Sequence, residues 1–417
     1  MTGKYHQLIL LLIANLTSAS LQTQCPHDAL SPFSPPKQSA LLIDGDTRPP
    51  FPPNLPWTHP PFCDVVGKEE EFCVFSSTAF NIGSGLSILT TPETAAGLVP
   101  TISDIKPPWG SRAHLAAKGM LDSLHGNDRP YALIDIPGRG TGVIATRKIK
   151  QFETIMTSFP AVIVDNEFFP EREEEKGNEE ASEFFDAILE GLGDKERLLG
   201  LARSRGKGVH PVEDVVRTNA FGMTLNGRKS KGVFPEIARM NHACDPNAFA
   251  RFSGRTLSMS AVATREIMPG EEITISYIPI GMSTAYRHTH LKNWHFNCTC
   301  ALCSAPAQAR EASDARREHI VELFYGMQDP QTDYETLIEM TKEFIELAQV
   351  ERLITKIGEY YQVLMKLFYE KGDPESARKY GRAALMFAEI FSDSEGEFCE
   401  ALRDDLKIVD RVISESA

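Results

Sequence analysis

The sequence predicts an α+β protein, mainly β through its middle and all-α toward its C-terminal end. Two observations carry this. Short runs rich in Val, Ile and Thr, punctuated by glycine and proline turns, crowd residues 131–165 and 256–278, as strands do. From Glu311 to the end, apolar residues recur at helical spacing and glycine is sparse. At 417 residues the chain has room for two or three domains of about 150 residues each. Its 42% hydrophobic and 24% charged content is ordinary for a globular protein.

The elements follow in order. The first twenty residues, MTGKYHQLILLLIANLTSAS, place Lys4 ahead of an apolar stretch from Leu8 to Leu16 and end on Ser18-Ala19-Ser20. That is the layout of a secretory signal peptide, with a short core helix as the alternative. Residues 21–61 form a proline-rich arm, with eleven prolines between positions 26 and 61 and little periodicity. Across 62–110, runs such as Cys73-Val74-Phe75 and Leu86-Ser87-Ile88-Leu89-Thr90 suit a small β unit closed by a Cys63–Cys73 disulfide. Strands follow in YALIDI, GVIATRKI, ETIMTSF and AVIVD. A helical insert is expected at about 165–215, where ASEFFDAILEGL follows the acidic run Glu171 to Glu175; the run itself reads as a solvated face. TLSMSAVATREI and EEITISYI return to strand. In the tail, 311–417, LMKLFYEKGDPESARKYGRAALMFAEIF is a helix, a Gly-Asp-Pro turn and a second helix. One tetratricopeptide-like pair and a generic α-hairpin fit it equally.

Composition excludes some functions. No apolar run reaches the roughly 18–20 residues that span a bilayer, which argues against a membrane span. The formal net charge of −14 disfavours direct nucleic-acid binding, which needs Lys and Arg to neutralise phosphates. A basic peptide would be electrostatically welcome.

Four constellations carry chemistry. In Cys298-Thr299-Cys300-Ala301-Leu302-Cys303, three thiols within six residues can converge on one tetrahedral zinc, and Cys244 is the available fourth ligand. Such a site is filled by protein and therefore structural; buried free thiols or a disulfide are the alternative. The second is the run Phe234-Pro-Glu-Ile-Ala-Arg-Met-Asn241-His242-Ala-Cys244-Asp-Pro246-Asn247. It is dense in hydrogen-bonding side chains where a core strand would be apolar, and such groups need partners when buried. The third is Gly138-Arg139-Gly140-Thr141-Gly142, whose alternate glycines permit left-handed backbone and close approach of a ligand. With no helix after it, it is no phosphate-binding fingerprint, and a plain hairpin turn also explains it. The fourth is Glu271-Glu-Ile-Thr-Ile-Ser-Tyr277, an alternating strand that ends on a tyrosine.

Taken in order, these motifs resemble a SET-domain protein methyltransferase. GRGTGVIATRKI is similar to the family's first motif and RMNHACDPN to its Asn-His-x-Cys-x-Pro-Asn motif. GEEITISY is similar to its strand ending in tyrosine, and WHFNCTCALC to its post-SET zinc loop. The resemblance covers residues 131–303, with the SET domain at 131–278 and the zinc loop at 287–304. The helical tail points to the branch with tetratricopeptide-like tails. That branch's MYND zinc module has no counterpart, since no Cys/His cluster lies between residues 160 and 235.

The resemblance implies S-adenosylmethionine as cofactor and a lysine side chain of a protein, histones among the candidates, as substrate. It implies that Arg139, Gly140, Thr141 and Gly142 hold the methionine portion, that Asn241 and His242 contact the cofactor, and that Phe296 stacks on the adenine. It makes Tyr277 the catalytic tyrosine and Cys244, Cys298, Cys300 and Cys303 ligands of a structural zinc. A non-catalytic binding or scaffold protein on the same fold is the rival reading. The leader points to the secretory pathway or the outside of the cell, the family's habit to nucleus or cytoplasm.

Overall fold

The structure, a computed structural model, describes residues 56–66, 70–81, 83–104, 129–168, 181–202, 209–393 and 396–416. The leader, most of the proline-rich arm and the acidic run 171–175 lie outside the described residues. What it describes is α+β. In chain order come β1 (Phe62–Val66), β2 (Glu70–Ser77), β3 (Leu86–Thr90) and α1 (Pro92–Asp104). Next are β4 (Tyr131–Ile136), β5 (Gly140–Ala145), β6 (Thr154–Ser158) and β7 (Val162–Asp165). Three helices follow, α2 (Ser182–Glu190), α3 (Lys195–Leu199) and α4 (Pro211–Asn219), and then β8 (Phe221–Leu225) and β9 (Arg228–Val233). The central segment closes with β10 (Asn241–His242), β11 (Ala248–Ser253), β12 (Ser258–Ala263), β13 (Glu272–Ile275) and α5 (Thr284–Leu291). The tail is α6 (Ala307–Gly326), α7 (Tyr334–Val350), α8 (Ile357–Glu370), α9 (Pro374–Phe391) and α10 (Glu397–Ser416). Among the described residues no helix is long and apolar enough to cross a membrane.

Three sheets make the β half: β1-β2-β3-β7-β9-β8, β10-β13-β5-β4 and β11-β12-β6. The segment expected as a small β unit carries the expected staple and differs from that expectation in two other ways. Its meander is stapled by the Cys63–Cys73 disulfide at directly opposed positions of β1 and β2. Yet β3 pairs in parallel with β7, Ile88 opposite Ile163, so the unit is the outer half of the largest sheet. Residues 92–104 are helix, not strand. Thr91 accepts the Thr94 backbone N–H at the start of α1, Pro92 sits in its first turn, and Ala95, Leu98 and Ile102 bury one face at helical spacing.

Burial on both faces explains why the inner strands β2, β3 and β7 of the six-stranded sheet show no alternation of exposed polar residues. Phe72, Val74, Leu89, Val162 and Val164 pack against Phe184, Phe185 and Ile188 of α2 and Val212 and Val215 of α4. The alternate residues Cys73, Phe75, Ile88 and Ile163 join a core with Val143, Met156, Ala261 and Ile273 of the other two sheets.

The tail has its own core, with Leu337, Ile338, Ile357, Leu364 and Leu367 among its buried members. Asp373 caps α9 by accepting the Ser376 N–H at 3.0 Å. Gly381 lets α9 approach α8 and α10, since a Cβ there would sit 2.6 Å from Met365 Sδ and 2.7 Å from Leu406 Cδ2. The tail is fastened to the β half through Arg251 of β11. Its Nη1 donates to the carbonyls of Glu389 (2.6 Å) and Ile390 (2.9 Å), a cation at the negative end of α9. Ser253 donates to Asp393 at 2.8 Å, and Phe152 and Phe249 meet Phe391 edge-on. Replacing Arg251 with Ala is expected to cost about 2 kcal/mol, the range for hydrogen bonds to charged groups, in urea unfolding of the full chain. A loss below about 0.5 kcal/mol would show that the fastening lies elsewhere.

Candidate active site

The glycine hairpin connects β4 to β5. Gly138 and Gly140 take left-handed backbone, φ +75° and +68°, and Arg139 N–H closes the turn on the Ile136 carbonyl. Gly142 is a close approach of another kind. A Cβ there would fall 2.3 Å from Ile136 Cδ1, 3.0 Å from Asn241 Nδ2 and 3.1 Å from Glu272 Oε1.

Glu272, at the start of β13, gathers the candidates. Its Oε2 accepts from Arg139 Nη1 at 2.6 Å and its Oε1 from Asn241 Nδ2 at 2.9 Å. The other Arg139 nitrogen donates to the His242 carbonyl at 3.1 Å. Register places Asn241 there: β10 pairs in parallel with β13, Asn241 opposite Thr274 and His242 opposite Ile275. Asn247 continues the edge in place of a strand, accepting the Thr274 N–H at 2.8 Å and donating to the Glu272 carbonyl at 2.8 Å. Thr141 stands apart, half-buried on β5 opposite Asp135.

His242 links the halves of the site. It is buried, and its Nδ1 accepts the Tyr277 backbone N–H at 3.0 Å. Burial, chiefly, pushes the imidazole down to about 4, so the ring is neutral at pH 7. With Nδ1 accepting, the proton is assigned to Nε2, 3.2 Å from Cys244 Sγ. Tyr277 lies beside His242 (ring centroids 5.4 Å), Trp294 (5.8 Å) and Phe296 (6.5 Å, edge-on). Its hydroxyl donates to the Met240 carbonyl at 2.8 Å, which commits the proton and leaves the oxygen as an acceptor.

Below this aromatic group sit Cys244, Cys298, Cys300 and Cys303, their sulfurs all within 4.8 Å of one another, with no disulfide among them. Cys244 N–H donates to Cys300 Sγ at 3.4 Å and Cys300 N–H to Cys298 Sγ at 3.5 Å. Hydrogen bonds from Cys244, Cys298 and Cys303 hold the Cys300 thiol far below its ordinary value. Cys298, bonded first to Cys244, is pushed down to about 7, while Cys244 is pushed up by its sulfur neighbours. Four sulfurs this close favour a shared dication, and four thiols with no open position are a structural zinc donor set.

All the sequence-derived candidates except Thr141 thus belong to one connected group. Sequence reasoning missed Glu272. The only signal was alternation, which puts Glu272 and Thr274 on one face of β13 and Ile273 and Ile275 on the other.

Comparison with known proteins follows the same residues. Residues 140–278 match the SET domain. That domain contains the glycine strand, β10, Glu272 and Tyr277. The chain is 28% identical over 215 residues to N-lysine methyltransferase SMYD2-B of Xenopus laevis, covering 44% of this chain and 49% of the relative. It is 28% identical over 193 residues to Histone-lysine N-methyltransferase set5 of Schizosaccharomyces pombe, covering 46% and 56%. It is 27% identical over 193 residues to N-lysine methyltransferase SMYD2 of Mus musculus, covering 40% and 44%. The chain therefore spans about half the length of the curated relatives it matches.

Protein purified without chelator is expected to contain about one zinc per chain, lost in Cys300→Ser. Metal analysis decides it: zinc near zero in the wild type, or full retention in the variant, would remove the site.

Proposed function

We propose that the protein transfers methyl groups from S-adenosylmethionine to a lysine side chain of a protein substrate. What carries the reading is the convergence of Tyr277, His242 and Phe296 inside and beside a segment that matches the SET domain. The methyltransferase names of the relatives support it.

When bound, the cofactor supplies a methyl group already activated on a sulfonium. The residues fit such a ligand: left-handed glycines expose backbone at the hairpin, Glu272 fixes the Asn241 amide, and Phe296 offers an apolar face to a base. With a good leaving group, the protein's task is alignment. Tyr277, its proton committed to Met240, accepts from the lysine amine and orients it. Trp294, Phe296 and the Tyr277 ring exclude water and lower the amine's pKa, which the attack requires. Tyr277→Phe is expected to slow methyl transfer at least about tenfold, roughly 1.4 kcal/mol of barrier, with cofactor affinity nearly unchanged. Equal rates would take Tyr277 out of the mechanism.

We assign the thiol cluster to a structural zinc of post-SET type, α8–α9 to a tetratricopeptide-like pair, and the chain to the branch without a MYND module. A substrate protein is the expected partner, histones among the candidates. For location we propose the secretory pathway, on the strength of the leader and supported by the Cys63–Cys73 disulfide. Asn297-Cys298-Thr299 is a glycosylation sequon with Asn297 exposed, beside a zinc ligand and Phe296. Early folding of the zinc loop protects it. The leader is expected to be cleaved near Ser20 and Asn297 to be unmodified, by N-terminal sequencing and glycosidase mobility shift. An intact Met1 or Thr2 start returns the protein to nucleus or cytoplasm, and a glycan on Asn297 contradicts the early-folding loop.

A further inference from the structure

The turn after α7 ends a helix in the way glycine usually does. Arg352 N–H bonds to the Gln349 carbonyl (3.1 Å) and Leu353 N–H to the Ala348 carbonyl (2.7 Å), the paired bonds that close a helix around one left-handed residue. That residue is Arg352, φ +58°. The left-handed region is unfavourable for a residue with a β-carbon, and glycine is its normal occupant. A strained arginine at such a place points to a contact made by its side chain.

The contact is Asp245. Arg352 Nη1 donates to Asp245 Oδ2 at 2.8 Å, and Asp245 follows Cys244 directly. The tail grips the same region at several further points. Within the tail itself, buried Glu351 accepts from Ser313, Arg316 and Arg317 of α6, which places Arg317 for the next contact. Arg317 reaches the Met282 carbonyl (3.4 Å), to which Arg287 donates at 2.6 Å. Asp314 accepts the Thr284 N–H at the start of α5 (2.9 Å). Arg310 of α6 donates to the Cys303 carbonyl at 3.4 Å. The tail therefore contacts the thiol cluster at two points, next to Cys244 and at Cys303.

We infer that Arg352 is a positioning residue. By holding Asp245 it fixes Cys244 against the helical tail and keeps the cysteine loop in register with the site. The inference rests on the reading of the four cysteines as a zinc site. The Arg352 and Asp245 side chains are 59% and 26% exposed, and an exposed ion pair contributes little to global stability. Its leverage is local. One peptide separates Asp245 from Cys244, whose N–H donates to Cys300 Sγ, so slack at Asp245 is slack in the cluster.

Arg352→Gly separates the two roles, because glycine accepts the left-handed turn while deleting the guanidinium. In zinc-loaded full chain, Arg352→Gly is expected to leave the unfolding temperature unchanged or raised. Zinc release to a chromogenic chelator should nevertheless speed up about fivefold, within the range for such a pair, and S-adenosylmethionine affinity, read by calorimetry, should fall. Arg352→Lys should restore most of the slow release. Asp245→Asn should match Arg352→Gly, and the double variant should add nothing further. Unchanged release in Arg352→Gly, or additive effects in the double variant, would overturn the inference. A wild type without zinc would instead remove the metal site, and the inference with it; that result is read before any variant is made.

Discussion

Two residues of parallel β pairing hold the site together. Asn241 and His242 run beside Thr274 and Ile275, and Ala243 N–H extends the ladder to the Ile275 carbonyl at 3.0 Å. Between the paired segments the chain makes the β11–β12 hairpin and comes back, so the pairing is non-local and has no short-range turn to secure it. From its position the rest follows. Asn241 reaches Glu272, which also holds Arg139 from the glycine hairpin. His242 receives the backbone of Tyr277 and faces Cys244. A slip of one residue would turn Asn241 away from Glu272 and His242 away from the Tyr277 backbone.

The pairing is braced by polar groups rather than by apolar area alone. Asn247 occupies the place of a strand residue, and Glu272 is satisfied by a cation and an amide together. Such networks fix one arrangement because each buried partner left alone is costly. The tail extends the same logic outward. Its own core makes it a separate packing unit, and it meets the β half through the charged contacts of Arg251 and Arg317 and the aromatic contacts of Phe391. These contacts set geometry.

Much of this was legible in the residues, and the remainder has physical reasons for being hidden. The glycine run, the Asn-His pair and the closely spaced cysteines announce themselves because each residue type is poorly suited to an ordinary core strand. The helical tail is legible from periodicity. Joining residues 62–90 to the large sheet depends on β3 meeting β7 in parallel, a long-range pairing that leaves no local pattern. Helix α1 was hidden by Pro100 within it and by the strand-like runs before it. Glu272 was hidden because a carboxylate at a strand start ordinarily reads as solvated, and only the register of β10 reveals its partners. Arg352 carries no sequence signal: its left-handed backbone exists only in the folded turn.

The connected group is proposed as a lysine methyl-transfer site. The decisive experiment incubates the purified full chain with S-adenosylmethionine carrying a deuterated methyl group and a library of lysine-bearing peptides, then maps the label by mass spectrometry. Labelled methyl groups are expected on lysine side-chain nitrogens. Label absent from every lysine, in protein shown to hold zinc and to bind the cofactor, would contradict the proposal.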